Sequence, residues 1–420
     1  MHVVIIGAGL MGTTTAWYLR QHGVDVTVVD RAEAAGMETS FANAGMLTPS
    51  MADPWNAPGT LSKLVRWLGR EDAPMLLRLR AVPSLAGWGL RFLANAREST
   101  FRANTLKNVA LANYSLSLLQ DLRAEPGLTY DQTTGGTLRA CRDQAAVDHA
   151  ASLAGFLAEY GVAFRVLDRR GVVETEPALR PVADKIVGGV HYPGDEAGDA
   201  HLFCRELSRA ARERGARFHF ETAVTRFRLA SRRIAAIETS SGSIPADAFV
   251  LAAGSFSPLL ARPLGLEIPV RPVKGYSITA PRGDWPDGPV IPVADDHLHA
   301  AVTPLGSRIR VAGTAEFTGY DDTVTPSRID NLLGLLELIF PEYAVRLDRN
   351  SIQPWCGFRP VCVDGVPILG RSQVADNLFL NTGQGHLGWT MSAGSGKAVA
   401  DLICGETPEI PLVDFSIERF

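Results

Sequence analysis

Cysteine is scarce in this chain and shows no pairing pattern. The five cysteines (Cys141, Cys204, Cys356, Cys362 and Cys404) are scattered over 420 residues, odd in number and without a CxxC spacing. A disulfide framework or a zinc site is therefore not expected, and no metal is assigned. The thiols read as reduced and mostly buried, as in cytosol. Also missing is an uncharged apolar run long enough to span a bilayer. The nearest candidate, APMLLRLRAVPSLAGWGLRFLANA, is interrupted by Arg78, Arg80, Arg91 and two prolines. There is no basic excess, with 41 Lys and Arg against 45 Asp and Glu, so no nucleic-acid partner is expected. The opening MHVVIIGAG is apolar but lacks a basic start and a cleavage-like tail, so a secretory leader is not expected either. No internal repeat or low-complexity tract occurs.

What is present is an ordinary globular composition, 46% hydrophobic and 20% charged. The length exceeds what one core usually holds, which predicts two domains, interleaved because strand–helix units lie at both ends and in the middle. One stretch departs from the acidic average. Residues 60–110 carry nine Lys and Arg against three Asp and Glu, together with Trp67, Trp88 and Phe92. This is either an interfacial surface for a membrane or a solvated helical layer whose leucines face the core. Residues 60–125 read as mainly helical, and 270–314 as β-rich. A helix over DAHLFCRELSRAARERG has Asp199 or His201 at its start.

The first chemical signal is Gly7-Ala8-Gly9-Leu10-Met11-Gly12, between the apolar strand HVVII and a helix. Gly7 permits the tight turn, Gly9 lets backbone amides approach a pyrophosphate, and Gly12 allows close helix–strand packing. The helix start adds roughly half a positive charge. Asp30, followed by Arg31, ends the second strand 18 residues past Gly12, where a carboxylate can accept ribose hydroxyls. The pattern predicts an α/β, Rossmann-like dinucleotide-binding unit. A second backbone approach is expected at Ala253 and Gly254, where an apolar strand ends in small residues. Val224, in FETAV, can lie against an adenine. The loop 39–46 offers Thr39 and Ser40 as phosphate donors, and the thin backbone of Asn43, Ala44, Gly45 and Met46 can lie against a ring; an ordinary turn is the alternative.

Near the C-terminus, NTGQGHLGWT spends glycines freely before a helix predicted to begin near Gly388–Thr390. Its backbone at Gly385, His386, Leu387, Gly388, Trp389 and Thr390 can receive the polar end of a flavin; a well-capped helix packed on the core is the alternative. Finally, WCGFRPVCVDGVPILG sets Arg359 in a rigid glycine–proline run. A buried guanidinium there needs an anion, either a ligand carboxylate or an acid such as Asp364. His297 and His299 alternate on a predicted strand but lack a third ligand for a metal.

These segments resemble one family. VVIIGAGLMGTTTAWYLRQHGVDVTVVDR, ETSFANAGMLTPS, RPVKGYSIT, RIRVAGTAEFTGYD, GFRPVCVDGVPILG, LGWTMSAGSGK and DFSIERF are similar to the D-amino acid oxidase superfamily of FAD-dependent enzymes, most of all to its bacterial D-amino acid dehydrogenase branch, small-subunit type. The resemblance spans nearly the whole chain. It implies a FAD-binding domain from 1–50, 200–268 and 355–420, and a β-rich α+β substrate domain from 51–199 and 269–354. It implies oxidation of a D-amino acid, or of a cyclic secondary amine such as a D-hydroxyproline, to the imine and then the 2-oxo acid, with hydride passing from Cα to the flavin. Arg359 would bind the substrate carboxylate, Tyr276 would face substrate, and Lys274 would approach the flavin through water. The alternative for that strand is an exposed lysine and a packed tyrosine. The chain departs from the branch at Gln384-Gly385-His386, where those relatives commonly read His-Gly-Thr, and His386 becomes a candidate active-site contact. The acceptor would be a quinone or other carrier, with the protein cytoplasmic or peripheral on the inner face of the cytoplasmic membrane through 60–110. The rivals are an oxygen-using oxidase of glycine or sarcosine type and a non-catalytic dinucleotide-binding protein.

Overall fold

The structure is a computed structural model that describes residues 1–420 apart from Leu68, Pro126 and 296–299, with the backbone alone at Lys63. His297 and His299 thus lie outside the described residues. Two sheets organise the chain. The first has six strands in the order 368–371, 378–382, 248–251, 2–6, 25–29, 217–219, all parallel except the first pair. Its central strands, His2–Ile6 and Asp25–Val29, are buried on both faces, one against helices and the other against the antiparallel strands Val224–Ala230 and Arg233–Thr239.

The helices Leu10–Gln21 and Ser392–Cys404 pack on this sheet in close contact. Thr14 Oγ1 donates to the Ser392 carbonyl at 3.0 Å, and a Cβ at Gly396 would meet Thr14 Oγ1 at 2.4 Å. This brings the starts of both helices to one end of the sheet. The C-terminal helix begins at Ser392, later than the predicted Gly388–Thr390, because 385–387 form a separate 3₁₀ turn. Asp199 rather than His201 caps the helix Ala200–Glu213, accepting from the amides of His201 and Leu202.

The second sheet has nine strands: 353–362, 270–281, 308–317, 300–305, 293–295, 137–141, 188–192 and 165–168, with 75–77 paired to 308–317. The strand Gln353–Cys362 carries Arg359 and pairs along its length with Val270–Pro281. It therefore belongs to this sheet, whereas the sequence grouped residues from 355 onward with the cofactor segments. The helical expectation for 60–125 meets helices at Thr60–Trp67, Val82–Ala94 and Glu98–Ala124, interrupted by the strand Met75–Leu77. That strand forms because its backbone can pair with the exposed edge of 315–317, an opportunity that local periodicity does not record.

Candidate active site

One cavity of about 930 Å³ runs between the two sheets. At one end lies the strand–glycine–helix turn. Gly7 takes φ +108°, and a Cβ there would sit 2.5 Å from the Ala252 carbonyl oxygen. A Cβ at Gly12 would lie 1.8 Å from the Gly7 carbonyl oxygen, so Gly12 is the packing glycine and does not line the cavity. Gly9, Leu10 and Met11 do line it, and the helix they begin has no side-chain cap. An uncapped helix start opening on a cavity is a ready anion seat. Asp30 lies on the wall, its carboxylate accepting from the amides of Ala8 and Ala32 at 2.6 and 2.8 Å. Burial raises its pKa. Arg31 pairs with Glu38 and lies 3.9 Å over the Phe256 ring, beside Val224, Ala253 and Gly254. Glu38 and Phe256 were not singled out from the sequence and are found by their position.

The loop after the second strand follows the cavity wall. Ser40 Oγ accepts from the Leu10 amide at 3.2 Å. Thr39 turns its hydroxyl to the Phe358 carbonyl at 2.7 Å, away from the expected phosphate role. Asn43, Ala44, Gly45 and Met46 line the middle of the cavity. These features fit a dinucleotide with a ring system: a glycine turn whose Gly7 and Gly12 admit no Cβ, a ribose-level carboxylate and a thin middle wall.

Arg359 stands at the far end. What surface it keeps lies on the cavity, and it is withdrawn from bulk water, which lowers its pKa to about 10 and leaves it cationic. Among the described residues it has no carboxylate partner. Its Nη1 donates to the Thr314 carbonyl at 3.2 Å, and the guanidinium lies 5.4 Å from the Trp55 ring. Asp364 is taken instead by Arg419 near the C-terminus, at 2.8 Å. The seat for the guanidinium is a break in the sheet. Pairing of 270–281 with 308–317 shifts register between Lys274 and Tyr276, and Thr314 adopts φ +58°. Gly275 completes it, since a Cβ there would be 2.0 Å from Nη1 of Arg359. Gly275→Ala is expected to raise KM for a carboxylate substrate at least tenfold while flavin absorbance is retained, as steady-state kinetics on the purified protein will show.

His386 lines the same end, stacked on Trp55 at 5.2 Å, with Nε2 against the Met51 carbonyl at 3.1 Å. Burial first, then that carbonyl contact and nearby Arg359, set its pKa, with a net fall to about 4. It is neutral at pH 7. The unfolded chain protonates near pH 6.5, so stability from this site is complete above that value and is lost as pH falls toward 4. The loss amounts to about 3 kcal/mol. His386→Asn should flatten this acid limb, measured as urea midpoints at pH 7 and pH 4.5.

Several sequence-predicted residues are placed elsewhere. Lys274 does not reach the cavity; its Nζ donates to the Thr323 carbonyl at 3.0 Å and lies 3.5 Å from Glu316. Tyr276 presents its ring to the cavity but gives its hydroxyl to Glu316, which Arg78 also binds. The buried carboxylate of Glu316 gathers these polar ends because it cannot stand uncompensated. Gly385, Gly388 and Trp389 line the cavity. Leu387 is in the core, and Thr390 accepts from the Thr48 amide at 3.0 Å. Gln384 turns its amide to Asn381 at 2.8 Å. Trp55, Met51, Trp355 and Gly275 line the arginine end; the first two had no motif to announce them, and the last two lay in quoted segments without being singled out.

Comparison with known proteins agrees with this geometry. The chain is 46% identical over 423 residues to a D-amino acid dehydrogenase of Paramagnetospirillum magneticum, covering 100% of this chain and 99% of the relative. It is 45% identical to a D-amino acid dehydrogenase of Methylobacterium radiotolerans, covering 100% of both. Among solved structures, glycine oxidase from Geobacillus kaustophilus superposes with a TM-score of 0.78 at 22% identity, over 100% of this chain and 98% of that one, a likeness of fold. Residues 2–402 match the DAO family, described as FAD dependent oxidoreductase. With its glycine cradle and carboxylate-bearing strand end facing a cavity closed by Arg359, the chain belongs to the DAO family of FAD-dependent oxidoreductases.

Proposed function

We propose that this protein is a FAD-dependent dehydrogenase that oxidises a D-amino acid, or a cyclic secondary amine such as a D-hydroxyproline. The observation that carries the proposal is Arg359, a cation facing the cavity with no carboxylate partner among the described residues. A substrate carboxylate supplies the missing anion through two parallel hydrogen bonds. FAD, when bound, supplies the acceptor for the hydride that leaves Cα. The chain's own part is placement. Gly7, Gly9 and the uncapped helix start hold the phosphates, Asp30 holds a ribose, and Arg359 fixes the substrate between Trp55 and the thin wall 42–46. His386 is neutral at pH 7 and gives its one N–H to the Met51 carbonyl. Holding the reacting carbon in place supplies much of the rate. The imine product then hydrolyses to the 2-oxo acid and ammonia. Segments 1–50, 200–268 and 355–420 are assigned to the cofactor and 51–199 and 269–354 to the substrate, with the strand 353–362 joining the two.

The test is anaerobic bleaching of the flavin across a panel of D- and L-amino acids that includes hydroxyprolines. Bleaching by D-enantiomers supports the assignment; bleaching by L-enantiomers alone, or by none, overturns it. For the acceptor we propose a quinone met at a membrane surface. Leu61, Val65, Leu79 and Leu90 are 58%, 67%, 75% and 72% exposed within the stretch of local positive charge. Among the described residues no helix is long and apolar enough to cross a membrane, so contact would be peripheral. Sedimentation with anionic vesicles, weakened by salt, is expected; none at low salt would refute it.

A further inference from the structure

The wall 42–45 is held in an unusual way. Four successive carbonyls are each taken by a donor outside the loop. Ser277 Oγ donates to the Ala42 carbonyl at 2.6 Å, Arg310 Nη1 to Asn43 at 3.3 Å, Thr303 Oγ1 to Ala44 at 2.8 Å, and the Gly198 amide to Gly45 at 2.7 Å. Three of these donors stand on three neighbouring strands of the nine-stranded sheet, Val270–Pro281, Arg308–Phe317 and Ala300–Leu305. Arg310 lies opposite Thr303 on one side and Thr279 on the other, and its Nε donates to Thr279 Oγ1 at 3.0 Å. Its remaining nitrogen faces Asp199 at 3.4 Å. All three side chains are buried, so their geometry is set by the sheet and not by solvent.

In a trans peptide the carbonyl of one residue and the amide of the next point in opposite directions. The Ala42 and Asn43 carbonyls are drawn to the sheet, so the Asn43 and Ala44 amides point the other way. The Gly45 amide is taken separately by Asn43 Oδ1 at 2.9 Å. Residues 42–46 line the cavity between the phosphate end, where Ser40 meets Leu10, and the substrate end, where Met51 meets His386.

We propose that Ser277, Thr303 and Arg310 are positioning residues that orient the peptide dipoles of this wall toward the bound ring system and so set the reduction potential of the flavin. The proposal rests on the FAD reading of the cavity. Donors fixed against a ring that gains negative charge on reduction favour the reduced form, and they do so without reorganising. The same clamp ties the flavin's environment to the sheet that carries Arg359.

The experiment is dye-coupled measurement of the two-electron potential of the holoenzyme, with the visible absorption spectrum, for Thr303→Val, Thr303→Ser and Ser277→Ala. Thr303→Val keeps the shape and removes the donor. The reduction equilibrium constant is expected to fall about tenfold in Ser277→Ala, which frees the peptide carrying the Asn43 amide, about 30 mV for a two-electron couple. The fall is expected to be smaller but in the same direction in Thr303→Val, because the Gly45 amide of the peptide it clamps is already held by Asn43 Oδ1, and absent in Thr303→Ser. Potentials unchanged in both Thr303→Val and Ser277→Ala overturn the proposal, as does an equal fall in Thr303→Ser and Thr303→Val. A wild-type protein that binds no flavin instead defeats the FAD reading itself, so the two failures are distinguishable.

Discussion

Arg359→Ala is expected to lower kcat/KM for a D-amino acid about a thousandfold, chiefly through KM, and to leave the protein yellow. The size follows from what the side chain does. Removing one partner of a close charge pair withdrawn from water costs about 4 kcal/mol, which is about three decades in binding. The effect on the flavin is small because Arg359 stands at the far end of the cavity from the glycine cradle and, among the described residues, hydrogen-bonds to the Thr314 carbonyl alone. Arg359→Lys should recover little, since an ammonium cannot make the two parallel bonds. Flavin absorbance and steady-state kinetics on the same preparations check both parts. Unchanged kinetics with D-amino acids would sink the carboxylate role.

Two glycines of one motif should fail in different ways. Gly12→Ala puts a Cβ within 1.8 Å of the Gly7 carbonyl, backbone against backbone, and nothing flexible can yield. We expect loss of soluble folded protein, or a melting temperature lowered by more than 10 °C, a destabilisation of several kcal/mol. At Gly9 the nearest atom to a Cβ is Ser40 Oγ at 3.3 Å, a contact that a small shift relieves. Gly9→Val is therefore expected to fold with a melting temperature near that of wild-type apo-protein and to purify colourless, because the added methyls occupy the anion seat. Flavin retained by Gly9→Val would overturn the phosphate-cradle assignment. Absorbance at the flavin bands and a thermal melt separate the two outcomes.

Much of the glycine end of the cavity was legible without coordinates. The glycines of 7–12, the carboxylate of Asp30 and the small residues at 253–254 act through backbone geometry, and backbone geometry is dictated locally by residue type. Arg359 was legible for a related reason: a lone guanidinium in a glycine–proline run has few local ways to satisfy its charge. The failures are of another kind. Lys274 and Tyr276 sit in a recognisable segment, yet both turn their polar ends to Glu316, some forty residues on. Asp364, nearest in sequence to Arg359, is bound by Arg419 at the end of the chain. Trp55 had no signal at all, and Gly275 lay in a recognisable segment without being singled out. What matters at Gly275 is the absence of a side chain beneath a guanidinium delivered by another strand.

Alone, then, the sequence determined the glycine-bearing strand–turn–helix at one end of the cavity and the presence of a cation that needs an anion, because both depend on neighbours along the chain. The tertiary structure decided which anion that cation lacks, which lysine and tyrosine are spent on a buried carboxylate, and which donors hold the wall 42–45. Those are questions of partner choice among groups far apart in sequence. A buried charge or carbonyl takes the donor that packing brings to it, and packing is settled by the whole fold at once.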